Sequence, residues 1–371
     1  MNKYSENQVI KIAKRYNNSK RKYLLVDPFQ AKHIPVSPCA ALDLMNALGK
    51  TVQEKYPEAF LVIGFAETAT AISSAVAENF KDCFYIQTTR ENICGNNFLE
   101  FEEQHSHAVE QKLLLDNIED AIRNSSRIIF VDDEITTGNT LLNIVGCIRN
   151  KYPEIKSKKI VIASIINRIS EKNTQKLNEN NIDCVSLFKS NECDYEKGID
   201  EINVNAPDPI YFDTEIDLPY INTETRNKMP DPRIGLKISD YLRGLDAFSD
   251  EIMSQIKIEV NEKILVLGTE ECMYPVLIFG KRLEEKYNAD VKCHSTTRSP
   301  IGISLRSDYP INNGYQINSF YNDTRVTFIY NVRKYDKVII VTDSKAKTRA
   351  MQSLCAVLKN HGCKKIILIR G

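Results

Sequence analysis

The chain has 371 residues, and its 49 lysines and arginines balance its 49 aspartates and glutamates. This length allows about two ordinary domains, each with its own core. The balanced charge gives no indication of nucleic acid or an anionic membrane as a partner. The N-terminal residues lack an apolar stretch of signal-peptide length, and no run approaches the roughly 18 apolar residues of a membrane span. These features predict a cytoplasmic protein.

Short apolar runs bounded by turn residues alternate with helix-periodic stretches. This pattern is typical of an α/β protein with a mostly parallel, buried sheet. The predicted strands of the first half are residues 60–64, 83–87, 127–131 and 158–166, and residues 141–152 form a predicted helix. The ten cysteines are scattered without a C-x-x-C pair. We therefore expect reduced thiols, mostly in the core.

The order of the segments recurs in the second half of the chain. The stretch that begins at Phe60 resembles the one that begins at Ile264, and "TTRENI", "RIIFVDD" and "KKIVIAS" resemble "TTRSPI", "KVIIVTD" and "KKIILIR". Four pairs in one order, with nearly constant spacing, indicate an internal duplication. The alternative is chance, because any two α/β domains share apolar strands followed by turns. Prolines crowd residues 204–233, which predicts the linker between the copies.

The stretch "RIIFVDDEITTGNT", Arg127 to Thr140, combines a buried strand, acidic residues and a loop of small residues. A strand that ends in Asp132 and Asp133 places two carboxylates at the carboxyl edge of a parallel sheet, where open α/β folds bind ligands. Gly138 allows a tight turn, and the N-terminus of the next helix favours an oxyanion. A sugar phosphate satisfies both features. The alternative is an N-capping threonine loop with an incidental acidic pair.

Residues 128–140 resemble the phosphoribosyl pyrophosphate (PRPP) motif of type I phosphoribosyltransferases, with mild departures at Phe130 and Glu134. The resemblance implies that Asp132 and Asp133 contact the ribose hydroxyls. It also implies that a nitrogen base displaces pyrophosphate, largely through positioning and electrostatics, with Mg²⁺ on the leaving group. The implied 5′-phosphate loop consists of Thr136, Thr137, Gly138, Asn139 and Thr140.

The resemblance also assigns two further loops. Glu67 belongs to the implied pyrophosphate loop, where it holds Mg²⁺ through water or serves as a helix-start carboxylate. That loop consists of Phe65, Ala66, Glu67 and Thr68. Arg90 is a candidate phosphate clamp at the start of the flexible loop that closes over the site in this family. In the same loop, His105 and His107 are candidates for acid–base catalysis or metal binding, or they are solvated loop histidines.

The second half resembles the TRSP domain, which follows a phosphoribosyltransferase domain in one two-domain family. Its segment "VIIVTDSKAKTRA" keeps Asp343 but has lost the counterparts of Asp132, Gly138 and Thr140, so PRPP should not bind there in the same way. Members of that family are associated with bacterial tellurium-resistance and stress-response gene neighbourhoods, and the resemblance implies a role in making a nucleoside-like metabolite. We expect a phosphoribosyltransferase domain at 1–203 (hood about 20–45, core about 58–190), a Pro-rich linker at 204–233, and a degenerate TRSP copy at 234–371.

Two further groups are candidates for contacts with the acceptor or between the domains. Lys32 and His33 lie where the family places a hood that contacts the nitrogen acceptor, although a proline-stiffened connector is the alternative. In the "TTRSP" stretch, Thr297, Arg298 and Ser299 could complete the first site in cis, with a scaffold or a second ligand site as alternatives.

The sequence thus predicts a Mg²⁺-dependent phosphoribosyltransferase that uses PRPP and a small nitrogenous acceptor. One alternative is a PRPP- or nucleotide-binding regulator without catalysis, because the same fold serves both roles. Another is hydrolysis or phosphate transfer on a finished nucleotide, with Glu67 and the two histidines as metal ligands. The sequence leaves the acceptor and the oligomeric state open, a homo-oligomer included.

Overall fold

The computed structural model describes residues 3–18, 21–101, 111–190, 195–210, 220–345 and 348–371. The strands are β1 Lys11–Lys14, β2 Tyr23–Val26, β3 Leu61–Gly64, β4 Phe84–Gln87, β5 Phe98–Phe101, β6 Gln111–Leu114, β7 Arg127–Ile135, β8 Lys159–Asn167, β9 Ile182–Lys189, β10 Asp208–Pro209, β11 Tyr220–Glu224, β12 Leu236–Lys237, β13 Lys263–Gly268, β14 Asp290–Ser295, β15 Gly314–Asn318, β16 Val326–Tyr330, β17 Lys337–Thr342 and β18 Lys365–Arg370. The α-helices are α1 Glu6–Val9, α2 Pro38–Lys55, α3 Thr70–Glu78, α4 Glu119–Asn124, α5 Asn139–Lys151, α6 Glu171–Glu179, α7 Ile238–Gln255, α8 Tyr274–Tyr287 and α9 Thr348–Asn360.

The chain forms two compact units, each assembled from separate segments. Unit 1 contains Asp43–Cys193 and Pro230–Gly244. Unit 2 contains Lys3–Leu42, Asp194–Met229 and Leu245–Gly371.

The sheet of unit 1 has the strand order β12-β4-β3-β7-β8-β9. Strands β4, β3, β7, β8 and β9 are parallel, and the short β12 pairs antiparallel with β4. Ile128–Val131 of β7 are all buried, as expected for a parallel strand covered on both faces. The side chains of Ile144 and Ile148 in α5 join the same core. The predicted α/β class is confirmed.

The main sheet of unit 2 has the order β11-β18-β17-β13-β14, and all its strands are parallel. Strands β14-β13-β17-β18 repeat the order and direction of β4-β3-β7-β8 in unit 1. The predicted second α/β copy is therefore present in the fold. Strands β10, β15 and β16 form a separate small sheet.

Several elements differ from the sequence pattern in their extent. Strand β7 continues through the acidic residues to Ile135, because β8 extends alongside it and pairs Glu134 with Ile166. Part of the predicted linker forms β11, which pairs with β18 at the edge of the sheet of unit 2. The predicted hood lies mostly in unit 2.

The described helices include none that is long and apolar enough to span a membrane. The cysteines in the described part of the chain are free thiols. Those with buried side chains are Cys83, Cys272, Cys293, Cys355 and Cys363.

His294 at the end of β14 should make the stability of unit 2 depend on pH. Its side chain is buried, and Nε2 donates to the backbone oxygen of Tyr330 over 2.7 Å. Burial, assisted by the charge of Lys32, lowers the pKa of His294 to about 4. In the unfolded chain the pKa of this histidine is near its ordinary value of about 6.5. The contribution of the neutral, buried His294 to the unfolding free energy is therefore fully present above about pH 6.5 and is lost as the pH falls through about 4.

We expect the wild type to lose about 2 kcal/mol more unfolding free energy between pH 7 and 4.5 than His294→Gln, whose amide can donate the same hydrogen bond. Urea unfolding of both proteins at the two pH values measures this difference. Equal losses would show that His294 is not the titrating group.

Candidate active site

The acidic pair of β7 lies beyond the end of its neighbour β3. The last pair of residues between the two strands is Gly64 with Val131, so Asp132 and Asp133 stand beside the turn that follows β3. Both are half-buried. Thr68 in this turn donates to Oδ1 of Asp133 over 3.0 Å, and Asp132 Oδ1 accepts from the amide of Asp133 over 2.9 Å. These contacts orient the two carboxylates at the carboxyl edge of the sheet.

The third acid of this stretch has a different role. Glu134 forms an ion pair with Arg168 over 2.6 Å, and both side chains are largely buried. The side chains of a strand alternate between its two faces, so Glu134 and Asp133 point to opposite faces. Glu134 therefore ties the end of β7 to the segment after β8.

The turn after β7 leads directly into α5. Gly138 has a φ of 72° and is the residue before the helix, which begins at Asn139. Thr137 Oγ1 accepts from the amide of Asn139 over 3.3 Å, and Lys176 Nζ donates to the Asn139 side chain over 3.3 Å. All five residues of the predicted phosphate loop, 136–140, are half-buried. Hydroxyls and a helix N-terminus thus follow the two carboxylates along the chain, and a lysine from α6 contacts the first residue of that helix.

The turn after β3 is held by its own side-chain and backbone contacts. The amide of Phe65 donates to Val131 O over 3.0 Å, and that of Ala66 to Thr88 Oγ1 over 2.8 Å. Gln111 Nε2 donates to Ala66 O over 2.9 Å. The Phe65 ring stacks on Phe130 in the core. Phe65 and Ala66 of the predicted pyrophosphate loop therefore hold this turn against the sheet and the core.

Glu67 and Thr68 complete the same turn. Glu67 is 7% exposed, the peptide bond before it is cis, and its backbone oxygen accepts from Thr70 Oγ1 over 3.2 Å. The predicted roles of both residues toward pyrophosphate stay predictions.

Arg90 follows β4 at the same edge of the sheet and is half-buried. The residue before it, Thr89, exchanges two backbone hydrogen bonds of 2.9 Å with Lys112. His105 and His107 lie outside the described residues, in the segment that connects β5 to β6. Among the described residues there is no group of three or more His, Cys, Asp or Glu side chains that could hold a metal ion.

Lys32 and His33 lie in unit 2 and are buried. Lys32 Nζ donates to Glu270 O over 2.7 Å, and His33 O accepts from Asn331 Nδ2 over 3.1 Å. Their predicted contact with an acceptor stays a prediction.

The residues of the "TTRSP" stretch also have contacts within unit 2. Thr297 exchanges backbone hydrogen bonds of 2.8 and 2.7 Å with Phe328, and Ser299 O accepts from Tyr330 Oη over 2.7 Å. Arg298 forms ion pairs with Glu270 over 2.9 Å and Glu271 over 3.4 Å. Any contribution of these residues to the first site stays a prediction.

The sequence pattern did not reveal the supports of this site. Thr88 and Gln111 hold the turn after β3, and their hydroxyl and amide are joined by a hydrogen bond of 2.5 Å. The repeated "TTR" could have indicated the role of Thr88. No sequence pattern indicates Gln111, because it is a single buried glutamine on a short strand.

A family model described as a phosphoribosyl transferase matches residues 9–191. A second, described as the TRSP domain C-terminal to that domain, matches residues 232–358. The first match defines the class of protein as a phosphoribosyl transferase. The two together show that the chain belongs to the family in which a TRSP domain follows such a domain, as the motifs predicted.

None of the curated proteins matches this chain. Similar solved structures include the adenine phosphoribosyltransferase of Rhodothermus marinus, which is 14% identical with a TM-score of 0.37, over 50% of this chain and 96% of that one. The enzyme of Giardia lamblia with 9-deazaadenine is 14% identical with a TM-score of 0.36, over 50% and 96%. The orotate phosphoribosyltransferase of Aeropyrum pernix is 14% identical with a TM-score of 0.32, over 51% and 90%.

Proposed function

We propose that unit 1 transfers the phosphoribosyl group of PRPP to a small nitrogenous acceptor and releases pyrophosphate. The observation that carries this proposal is the position of Asp132 and Asp133. They stand beyond the end of β3, and Thr68 in the turn after β3 donates to Asp133. The half-buried turn at 136–138 leads from them into α5. Two acceptors of hydrogen bonds beside a turn that favours an oxyanion suit a sugar phosphate.

The two parts of the site have different tasks in binding. The carboxylates of Asp132 and Asp133 accept hydrogen bonds from the ribose hydroxyls, and hydrogen bonds to a charged group are the stronger kind. The 5′-phosphate lies at the turn before α5, where Thr136, Thr137 and the first amides of the helix donate to it. The hydrogen bond from Thr68 to Asp133 fixes one carboxylate before the substrate arrives.

The same groups act in the transfer step. As the bond from the anomeric carbon to pyrophosphate breaks, positive charge develops on the ribose, and the nearby carboxylates stabilise it. The acceptor nitrogen forms the new bond to that carbon, and the pyrophosphate leaves with the electron pair. Mg²⁺ arriving with PRPP would supply positive charge that neutralises the leaving group. Arg90, at the same edge, binds a phosphate oxygen.

The proposed setting is the bacterial cytosol. In the tellurium-resistance and stress-response neighbourhoods that the resemblance implies, the product is the precursor of a nucleoside-like metabolite. A panel of purines, pyrimidines and small amides covers the classes of acceptor that this chemistry allows.

The test is pyrophosphate release from Mg²⁺ and PRPP with each acceptor of the panel. We expect one class to give release, and the pair Asp132→Asn and Asp133→Asn to lower its kcat/KM at least about 100-fold, since two charge-assisted hydrogen bonds are lost. The control is Asp120→Asn, an exposed carboxylate on α4 that should not change turnover. PRPP binding without release for every acceptor would support the regulator instead.

A further inference from the structure

The carboxyl edge of the sheet in unit 2 keeps the backbone framework of the site in unit 1. The amide of Glu270 donates to Thr296 Oγ1 over 3.0 Å, just as the amide of Ala66 donates to Thr88 Oγ1 over 2.8 Å. The second threonine of each "TTR" also makes equivalent contacts in the two units. Thr89 exchanges two backbone hydrogen bonds with Lys112, and Thr297 exchanges two with Phe328. Two turns that meet at the edge of a parallel sheet are thus built alike in both units.

The side chains on this framework form a charged cluster around Glu270. Oε2 of Glu270 accepts from Arg298 Nε over 2.9 Å and from Arg325 Nη1 over 2.8 Å. Its Oε1 accepts from Ser319 Oγ over 2.6 Å, and its backbone oxygen accepts from Lys32 Nζ over 2.7 Å. Three basic side chains therefore converge on one residue.

The charges are layered with respect to solvent. The side chains of Glu270 and Glu271 are 0% exposed, whereas those of Arg298 and Arg325 are 14% and 19% exposed. Within this cluster the guanidinium groups are therefore nearer to solvent than the two glutamates that pair with them. Buried ion pairs stabilise a fold less than apolar packing of the same volume does. A cluster of this cost, at the edge where parallel sheets bind ligands, is better explained by binding than by stability.

A hydrogen-bond acceptor lies at the same edge of the sheet, just after β17. Asp343 is half-buried and accepts a hydrogen bond from Tyr321 Oη, which also lies 3.1 Å from Thr269 O. Thr68 and Asp133 form the corresponding hydroxyl-to-carboxylate bond in unit 1. A carboxylate held in this way accepts hydrogen bonds from a ligand hydroxyl.

We propose that unit 2 binds a phosphorylated, hydroxyl-bearing small molecule at this edge. Arg298 and Arg325 bind its phosphate, for which the planar guanidinium is suited, and Asp343 accepts from its hydroxyl. The phosphate lies on the side of β13 and β14, because the chain after β17 has Thr348 and Ala350 in place of Gly138 and Thr140 of unit 1. The inference does not depend on the transfer reaction proposed for unit 1.

The experiment uses the full chain with Asp132→Asn and Asp133→Asn, which weaken the site of unit 1. Ribose 5-phosphate, inorganic phosphate and ribose are titrated by calorimetry. Ribose 5-phosphate should bind, and it should bind at least about tenfold more tightly than inorganic phosphate or ribose. Adding Arg325→Gln should weaken the binding of ribose 5-phosphate at least about tenfold. Arg306→Gln, which removes an exposed arginine paired with Asp308, should leave it unchanged.

A second pair of variants keeps the test decisive if Arg325→Gln does not fold, as judged by circular dichroism. Asp343→Asn and Tyr321→Phe should each weaken the binding of ribose 5-phosphate several-fold and leave the affinity for inorganic phosphate unchanged. The proposal is overturned if ribose 5-phosphate does not bind, or if the variants at positions 321, 325 and 343 leave its affinity unchanged. It is also overturned if inorganic phosphate binds as tightly as ribose 5-phosphate.

Discussion

Gly138→Val should weaken PRPP binding at least about tenfold. Gly138 has a φ of 72°, a region that β-branched residues rarely adopt. A Cβ at this position would also lie 3.2 Å from the side chain of Leu177. Valine therefore forces the turn before α5 to rearrange, and the donors proposed for the 5′-phosphate move with it. Calorimetric titration of PRPP with Mg²⁺ measures the change.

Two control variants separate the local backbone from the rest of the helix. Gly138→Asn adds the same Cβ, but asparagine tolerates positive φ, so this variant should weaken PRPP binding by no more than about threefold. Gly146→Ala lies in the same helix with no atom within 4 Å of the added Cβ, and it should leave binding unchanged. Wild-type affinity in Gly138→Val would exclude the turn as the phosphate site.

Arg298→Ala should lower the unfolding free energy of the protein by about 3 kcal/mol. The change leaves the carboxylate of Glu270, which is 0% exposed, with one of its two arginines. Removing one partner of a buried ion pair is costly, because the other charge stays buried with less compensation. Urea unfolding of the variant and the wild type gives the difference.

A double-mutant cycle distinguishes this charge effect from lost packing. In the background of Glu270→Gln, Arg298 has only the longer ion pair with Glu271 left, so Arg298→Ala should cost clearly less. The exposed pair of Arg306 and Asp308 is the matched control, and Arg306→Ala should produce no measurable change. Equal costs of Arg298→Ala in both backgrounds would contradict the assignment. Unchanged PRPP affinity and turnover in Arg298→Ala would exclude its predicted contribution to the first site.

The parts of unit 1 that follow from local sequence signals could be predicted. The apolar run before Asp132, the small residues after it and the start of α5 are all contiguous, so their pattern carries over directly into a strand, a turn and a helix. The recurrence of "TTR" in two places likewise corresponds to the same pair of turns in both units. These signals need no knowledge of the tertiary fold.

The remaining features depend on contacts between residues distant in the sequence. The ion pair of Glu134 with Arg168 and the support of Ala66 by Gln111 join different strands or segments. Residues 3–42 join unit 2 through backbone bridges such as Arg15 with Ile301, for which hydrophobic periodicity gives no signal. The burial of Lys32 has the same origin, since a lysine in a proline-rich stretch is usually exposed.

Calorimetric titration of PRPP into the wild type, with and without Mg²⁺, tests the central claim most directly. The comparison is the protein with Asp132→Asn and Asp133→Asn, whose stability is checked by urea unfolding. We predict that the wild type binds PRPP when Mg²⁺ is present, and that the folded variant binds at least about 100-fold more weakly. Absence of binding by the wild type, or equal binding by the variant, would contradict the assignment of the PRPP site to the edge of the sheet in unit 1.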